Sequence, residues 1–411
     1  MNLEKLEYLY INGSSSVSIV KNDHGEITEV YIDKKLYNFE DDEANKLELA
    51  QKIKRQKYSE YLQQQFYNLT VLTGAGSSVN IGVGERRGRL MTQLWDDTRE
   101  AIGEDVLNRF CTLVKYNDTN EDGTYVKNLE KLLSIASAAK KFIRPEPDLN
   151  VEETIQLIQN LIKNKCDLEL PDNAPHSSFI EKITKRKPTN PRVKLFTLNY
   201  DTLFEQAGRK GNYTIIDGFS FSAPRLFSGR NFDYDIVFRE KSRLKEEDNF
   251  INRVFHLYKL HGSVDWEKRD IGIVQSSTVE NAIMIYPKDN KYESSYEQPF
   301  FEMMSRFQQT LRKDNVLLIC IGFSFNDKHI VTAIKESLEQ NSGFQLLVVN
   351  KGICKGNDFS RQIIDLAHNH NNIVLIDELF TDFSAHYPVL TSYDQKEHNK
   401  IVFQSNLEHD K

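Results

Sequence analysis

Five apolar runs in this chain each stop at glycine or a small polar group. They stop at Gly74-Ala75-Gly76-Ser77-Ser78, at Asn199-Tyr200-Asp201, at His261-Gly262, at Gly322-Phe323-Ser324 and at Asn350. Glycines let a backbone approach a ligand closely, and small residues at a helix start leave amides facing an anion, so the first segment has the outline of a phosphate cradle. Taken alone, it serves equally as a tight strand-to-helix turn with a serine cap. Val79 stands where the full dinucleotide fingerprint has its third glycine, and no Gly-Lys-Ser/Thr ending follows for a nucleoside-triphosphate loop. Asn199 and Asp201 place an amide and a carboxylate two residues apart, suited to holding a sugar or a water, or to satisfying their own turn and capping the next helix. His261 is the best candidate general base, because an unperturbed imidazole titrates near neutrality; a single histidine at a turn also serves local backbone groups.

Those groups act together only on a scaffold that lines them up. In an open parallel sheet, ligands bind beyond the carboxyl ends of the strands. Apolar, β-forming runs predict strands at 67–73, 193–198, 254–260, 282–286, 315–322, 344–350 and 372–377, with helical patterns at 201–207, 299–312, 327–340 and 359–367. The alternation predicts an α/β fold, a Rossmann-like parallel sheet with helices on both faces. Apolar residues three and four apart between about 100 and 190 predict a helical insertion, and the first 65 residues predict a small β-rich extension of hairpins followed by a helix. The expected division is an extension at 1–65, a nucleotide-binding domain at 66–100 and 191–390, the insertion at 101–190 and a polar tail at 391–411. Segment 222–253 is read as irregular, and the stripe Phe300, Phe301, Met303, Met304 and Phe307 as core. Gly, Asn, His, Ser and Asn at successive ends of one sheet describe a dinucleotide pocket better than five independent turns.

Composition narrows the class. The 411 residues carry 53 Lys+Arg against 60 Asp+Glu, a net charge of −7 that argues against nonspecific nucleic-acid binding as the main task. With 39% hydrophobic and 27% charged residues the chain has material for a core and is no disordered polymer. No apolar stretch nears the roughly 18 residues of a membrane helix, and the start lacks a secretory pattern, so the expectation is a cytoplasmic protein without membrane contact. Cys111, Cys166, Cys320 and Cys354 are scattered, with no paired spacing for a disulfide framework or a zinc ribbon. Arg86, Arg87 and Arg89 are open to cofactor phosphates or to a partner; Lys182, Lys185, Arg186 and Lys187 read as solvated surface, with nucleic acid as the alternative.

In order and rough spacing, GAGSS, TLNYD, KLHG, GFSFND and LLVVN resemble the NAD-binding and catalytic motifs of the sirtuin family. The resemblance covers 67–98 and about 193–377. It implies that Gly74, Ala75, Gly76 and Ser77 bind the pyrophosphate, that Asn199 and Asp201 surround the nicotinamide ribose, and that His261 is the catalytic histidine. It further implies that Gly322 and Ser324 meet ribose and phosphate and that Asn350 meets the adenosine ribose. Two departures stand beside the matches: the paired zinc cysteines of protein-deacylating sirtuins are absent, and IGVGERRGRLMTQLW replaces their GIPDFR-like loop. Without these a peptide cleft is not expected, while the residues for cleaving NAD+ remain. The combination resembles the NAD+-hydrolysing sirtuin-like domains of bacterial antiphage defence, and in size and layout the subunit that works with a HerA-like ATPase. What the resemblance implies is an NAD+ glycohydrolase acting as a toxic effector, with NAD+ as substrate and no zinc or other metal. It also implies a ring-shaped homo-oligomer controlled by a HerA-like ATPase, touching nucleic acid at most through that complex. An NAD-dependent protein deacylase and a non-catalytic NAD-binding module in a nucleic-acid-sensing complex are the alternatives.

Overall fold

A computed structural model describes residues 6–39, 45–64, 66–143, 148–187, 189–238, 250–285, 298–353 and 358–389; the polar tail 391–411 lies outside them. The strands are β1 (Leu6–Asn12), β2 (Ser15–Lys21), β3 (Ile27–Ile32), β4 (Lys35–Leu36), β5 (Asn68–Thr73), β6 (Lys194–Thr197), β7 (Thr214–Ile216), β8 (Arg225–Leu226), β9 (Val254–Lys259), β10 (Gly262–Arg269), β11 (Gly272–Gln275), β12 (Ala282–Met284), β13 (Val316–Ile321), β14 (Phe344–Val349) and β15 (Ile373–Ile376). The helices are α1 (Lys46–Leu62), α2 (Met91–Ile102), α3 (Glu104–Leu113), α4 (Leu129–Ala139), α5 (Val151–Cys166), α6 (Pro175–Thr184), α7 (Leu203–Lys210), α8 (Phe300–Leu311), α9 (Lys328–Gln340), α10 (Asp358–Asn369) and α11 (Phe380–His386).

The main sheet runs β4-β3-β2-β1-β15-β14-β13-β5-β6-β9-β7. From β15 to β7 every pairing is parallel. Setting the short edge strand β7 aside, the strands taken in chain order give the doubly wound order 3-2-1-4-5-6 of dinucleotide-binding folds. β5, β9 and β13 are buried along their whole length, which is why they read as unbroken apolar runs instead of alternating ones. One face is covered by α8, α9 and α10 through residues such as Phe307, Ile334 and Ile363, and the other by α1, α6, α7 and α11 through Tyr58, Phe179, Phe204 and Phe383. The α/β expectation is therefore met in architecture and in strand order.

Three features differ from the sequence reading. The hairpins expected as a separate extension form, but β1 pairs antiparallel with β15, so they prolong the main sheet and cover an edge that would otherwise stay open. Residues 282–284, expected among the parallel strands, lie in a second, antiparallel sheet of order β12-β10-β11-β8; Tyr286, at the end of that expected run, lies outside the described residues. At Gly262, which opens β10 with a φ of +88° and faces Met284, β12 comes so close that a Cβ would sit 2.1 Å from Ile283 O. Finally, the insertion has its own core of Leu107, Phe110, Leu132, Leu133 and Ile158, but this core also takes Leu94 and Trp95 of α2, while α6 packs on the main sheet.

The order reverses between β5 and β13, and there two glycine turns touch. Gly74 N donates to Ile321 O and Gly76 N to Gly322 O, each at 3.0 Å. A Cβ on Gly76 would sit 2.6 Å from Gly322 Cα, and one on Gly322, whose φ is +61°, would sit 2.5 Å from Gly76. Gly322→Ala is therefore expected to cost about 2–4 kcal/mol of stability, strain and clash together. Gly84 shares the φ of +61° but has nothing within 4 Å of a Cβ, so Gly84→Ala is expected to cost only about 1 kcal/mol. Urea unfolding of both variants checks this, and equal losses would contradict the contact's importance.

Candidate functional site

The polar strand ends form two linked clusters. In the first, Asn199 follows β6, where its own amide donates to Thr197 Oγ1 at 3.1 Å. Its side-chain Nδ2 lies against three acceptors on the neighbouring turn: Gly74 O and Ser77 Oγ at 3.0 Å and Ser78 Oγ at 2.8 Å. The carboxamide oxygen Oδ1 accepts no hydrogen bond among the described residues, so the acceptor end of Asn199 is the end left for a ligand. Ser77 Oγ in turn donates to Gly74 O at 2.9 Å.

Asp201 is held by hydrogen bonds within the protein. Its Oδ2 accepts from Ser78 Oγ at 2.7 Å and its Oδ1 from the Leu203 amide at 3.1 Å. Both oxygens of the carboxylate expected beside a ribose thus tie the Gly74–Ser78 turn to the start of α7. The turn itself also departs from the cradle outline. Ala75–Ser77 is a single 3-10 turn, α2 begins only at Met91, and the amides of Gly74, Gly76, Ser77, Ser78 and Val79 donate within the protein. These glycines are required by the close approach to Gly322, and the backbone amides here do not form an open helix start.

In the second cluster, His261 Nε2 lies 2.9 Å from Asp327 Oδ2, with the two side chains 11% and 10% exposed. β9 and β13 are three positions apart in the sheet, about 14 Å at the usual strand spacing, so this pair bridges over the ends of β5 and β6. Asp327 also caps α9, its Oδ1 accepting from the amides of His329 and Ile330. Burial disfavours the imidazolium, but the hydrogen bond and charge of Asp327, with Glu130 adding to them, outweigh it and hold His261 above its ordinary pKa. Burial likewise opposes the Asp327 carboxylate, but the hydrogen bond from His261 prevails and holds it below the usual carboxylate range.

Lys259 braces the first cluster from the end of β9. Its side chain, almost wholly buried, donates to Asp201 O, to Tyr200 O at 3.4 Å and to Glu205 Oε1 at 3.0 Å. Burial pushes the Glu205 carboxyl up to about 7 against the pull of Lys259. Of the remaining expected residues, Asn350 donates from Nδ2 to Phe323 O at 2.7 Å, pinning the turn after β13, and Ser324 is exposed on that turn. Asp327, Lys259, Ser78 and Tyr200 stand within the segments that the sequence singles out but receive no role there, and Glu130 lies outside all of them. Lys259 could have been found as a lone cation ending an apolar strand, and Asp327 as the capping residue after Asn326; Glu130 carries no such signal.

Among the described residues no group of three or more His, Cys, Asp or Glu is placed to hold a metal, and no helix is long and apolar enough to cross a membrane. A cleft of about 180 Å³ opens further along the carboxyl ends of the strands, where Lys54 and Arg55 of α1 meet Lys351, Asp377, Glu378 and Asp382 beyond β14 and β15.

Residues 193–364 match the protein-family model for a SIR2-like domain, a span that holds Asn199, His261, Gly322 and Asn350 but leaves out the Gly74–Ser78 turn. No curated protein matches the chain. Among solved structures, one described as "Structural Basis for the Mechanism and Regulation of Sir2 Enzymes" is similar, at 11% identity and a TM-score of 0.38, covering 82% of this chain and 97% of that one. At that identity and score the superposition carries no argument about function.

The His261–Asp327 pair sets a pH dependence of stability. The raised pKa of His261 contributes stability fully below its unfolded value near 6.5, lost as pH rises through the folded value. The lowered pKa of Asp327 contributes above its unfolded value near 3.9, lost as pH falls through the folded value. Both are present together from about pH 4 to 6.5. Asp327→Asn, which keeps the helix cap, is expected to lose about 1–3 kcal/mol at pH 5.5 and clearly less at pH 8.5. Urea unfolding at the two values checks this; a loss independent of pH would contradict an ionic pair.

Proposed function

We propose that this chain is an NAD+ glycohydrolase, converting NAD+ and water to ADP-ribose, nicotinamide and a proton. The observation that carries the reading is the arrangement over β5 and β6: Asn199, whose carboxamide oxygen accepts no bond among the described residues, and a histidine paired to a carboxylate that bridges from β9 to the turn after β13. The SIR2-like match over 193–364 supports NAD+ as the ligand. The donor set fits the nicotinamide-ribose end of that substrate, since an amide acceptor and a basic imidazole are what an attacking water or a ribose hydroxyl requires. It fits the pyrophosphate end less well, because the amides of Gly74, Gly76, Ser77, Ser78 and Val79 donate inward; Ser324 is exposed on the turn after β13.

The pyridinium of NAD+ departs as neutral nicotinamide, so the bond breaks without an acid and leaves positive charge on the ribose. Asn199 Oδ1 orients the incoming water or a ribose hydroxyl, and His261 accepts the proton it gives up. Asp327 fixes the imidazole ring and stabilises the imidazolium, the part played by the third member of nucleophile–base–carboxylate arrays. Asp201, Ser78 and Lys259 hold Asn199 in place without touching substrate. Control by assembly as a homo-oligomer with a HerA-like ATPase, in antiphage defence, belongs to the same proposal. It rests on the resemblance in layout and on the need to restrain an enzyme that depletes its own cell's NAD+.

Nicotinamide release from NAD+ by the purified chain, alone and with the co-encoded neighbouring protein, tests the reading. His261→Ala and Asn199→Ala are expected to lose about 10²–10⁴ in rate with the fold intact by circular dichroism. Full turnover by either variant would overturn the assignment. Turnover seen only with an acetylated peptide, with acetyl-ADP-ribose as product, would replace it with a deacylase.

A further inference from the structure

The helical insertion sends one side chain into the site. Glu130 stands in the first turn of α4, where the helix dipole favours a carboxylate, and its Oε1 accepts from the Tyr200 hydroxyl at 2.8 Å. That hydroxyl also donates to Ile285 O at 2.7 Å, so one proton is shared between two acceptors. Tyr200 sits between Asn199 and Asp201, its backbone carbonyl accepts from Val264 N at 3.0 Å and Ser263 Oγ at 3.3 Å, and its ring lies 6.5 Å from the His261 ring. Tyr200 and Val264 belong to the same hydrophobic cluster as Leu107, Phe110 and Leu133, so the insertion's core is continuous with the wall of the site.

We propose that Glu130 is a positioning residue for the reaction: it holds Tyr200, and through it the Asn199 strand end, beside His261. This rests on the glycohydrolase reading for its consequence and on the geometry for its substance. His261 then has two carboxylates acting on it, Asp327 from the start of α9 and Glu130 from α4, with Tyr200 beside it. The other titratable groups around Glu130 and these partners include Cys166 at the end of α5, Asp201 before α7, Lys259 at the end of β9 and His329 near Asp327. Burial raises the Glu130 pKa, while His261 and the Tyr200 hydrogen bond pull it down. Seating of the insertion therefore sets both the position of Asn199 and the basicity of His261, and anything that shifts α4 shifts the site.

The test uses the full chain as wild type, Glu130→Gln, Glu130→Ala, Tyr200→Phe and the Glu130→Ala/Tyr200→Phe pair. Two readouts run side by side: nicotinamide release against pH, and the titration of the His261 imidazole by NMR, assigned with His261→Ala. Glu130→Gln is expected to lower the His261 pKa by about half to one unit and to move the acid limb of kcat/KM down by the same amount. Glu130→Ala and Tyr200→Phe are expected to lower kcat about tenfold or more with the NAD+ KM within about threefold, Glu130→Gln recovering most of that loss. The double variant is expected to do no worse than the worse single one, since the two residues act as a unit. An unmoved His261 titration in Glu130→Gln, a change in KM alone, or additive losses would overturn the proposal. Should the wild type release no nicotinamide, the glycohydrolase reading fails by itself, and the imidazole titration still decides for or against Glu130.

Discussion

Two backbones meet at the point where this sheet reverses its strand order, and the site is built outward from that contact. Gly76 and Gly322 approach within a distance that excludes any side chain. Their closeness fixes the turn after β5 against the turn after β13, which puts Gly74 O, Ser77 and Ser78 where the Asn199 amide reaches them. Asn199 then lies with its donor end committed and its acceptor end unpaired among the described residues. A crevice at such a reversal is where open α/β sheets bind ligands, because loops on either side part in opposite directions. The glycines here serve geometry first.

Around that contact most polar groups are paired within the protein, the buried Thr73 Oγ1 being an exception. Asp201 spends its charge on Ser78 and on the start of α7, and Lys259 holds the same loop from beneath. His261 and Asp327 close an arch over β5 and β6. The insertion adds a buttress through Glu130 and Tyr200. The catalytic reading thus depends on three separate parts of the chain: the two halves of the sheet and the insertion between β5 and β6.

Much of this arrangement was legible in the sequence, and what was not has a physical cause. Unbroken apolar runs such as those of β5 and β13 announce strands covered on both faces, and the polar residues that stop them announce their carboxyl ends. Local signals do not reveal long-range partners. The pairing of Asp327 with His261 joins residues 66 apart, and Glu130 meets Tyr200 across 70. The hairpins of the first 36 residues were readable, but their docking on β15 was not, because an edge can pair with any strand of matching register. The apolar run at 282–284 reads the same for either sheet, and its partner β10 is not visible in local sequence. Asp201 shows the limit for single residues: the same carboxylate that suits a ribose also suits a cap, and here Ser78 and Leu203 take it.

The account's central claim is that Asn199 and His261 face one dinucleotide across the reversal of the sheet. A crystal structure of the chain with ADP-ribose or non-hydrolysable NAD+ bound is the most direct measurement. The account predicts the ligand lying across the strand ends from Asn350 to Asn199, with its ribose at the nicotinamide end within hydrogen-bond reach of Asn199 Oδ1 and His261. Ligand seated instead in the Lys54–Glu378 cleft beyond β15, or over the strand ends with Asn199 and His261 both out of reach, would contradict it.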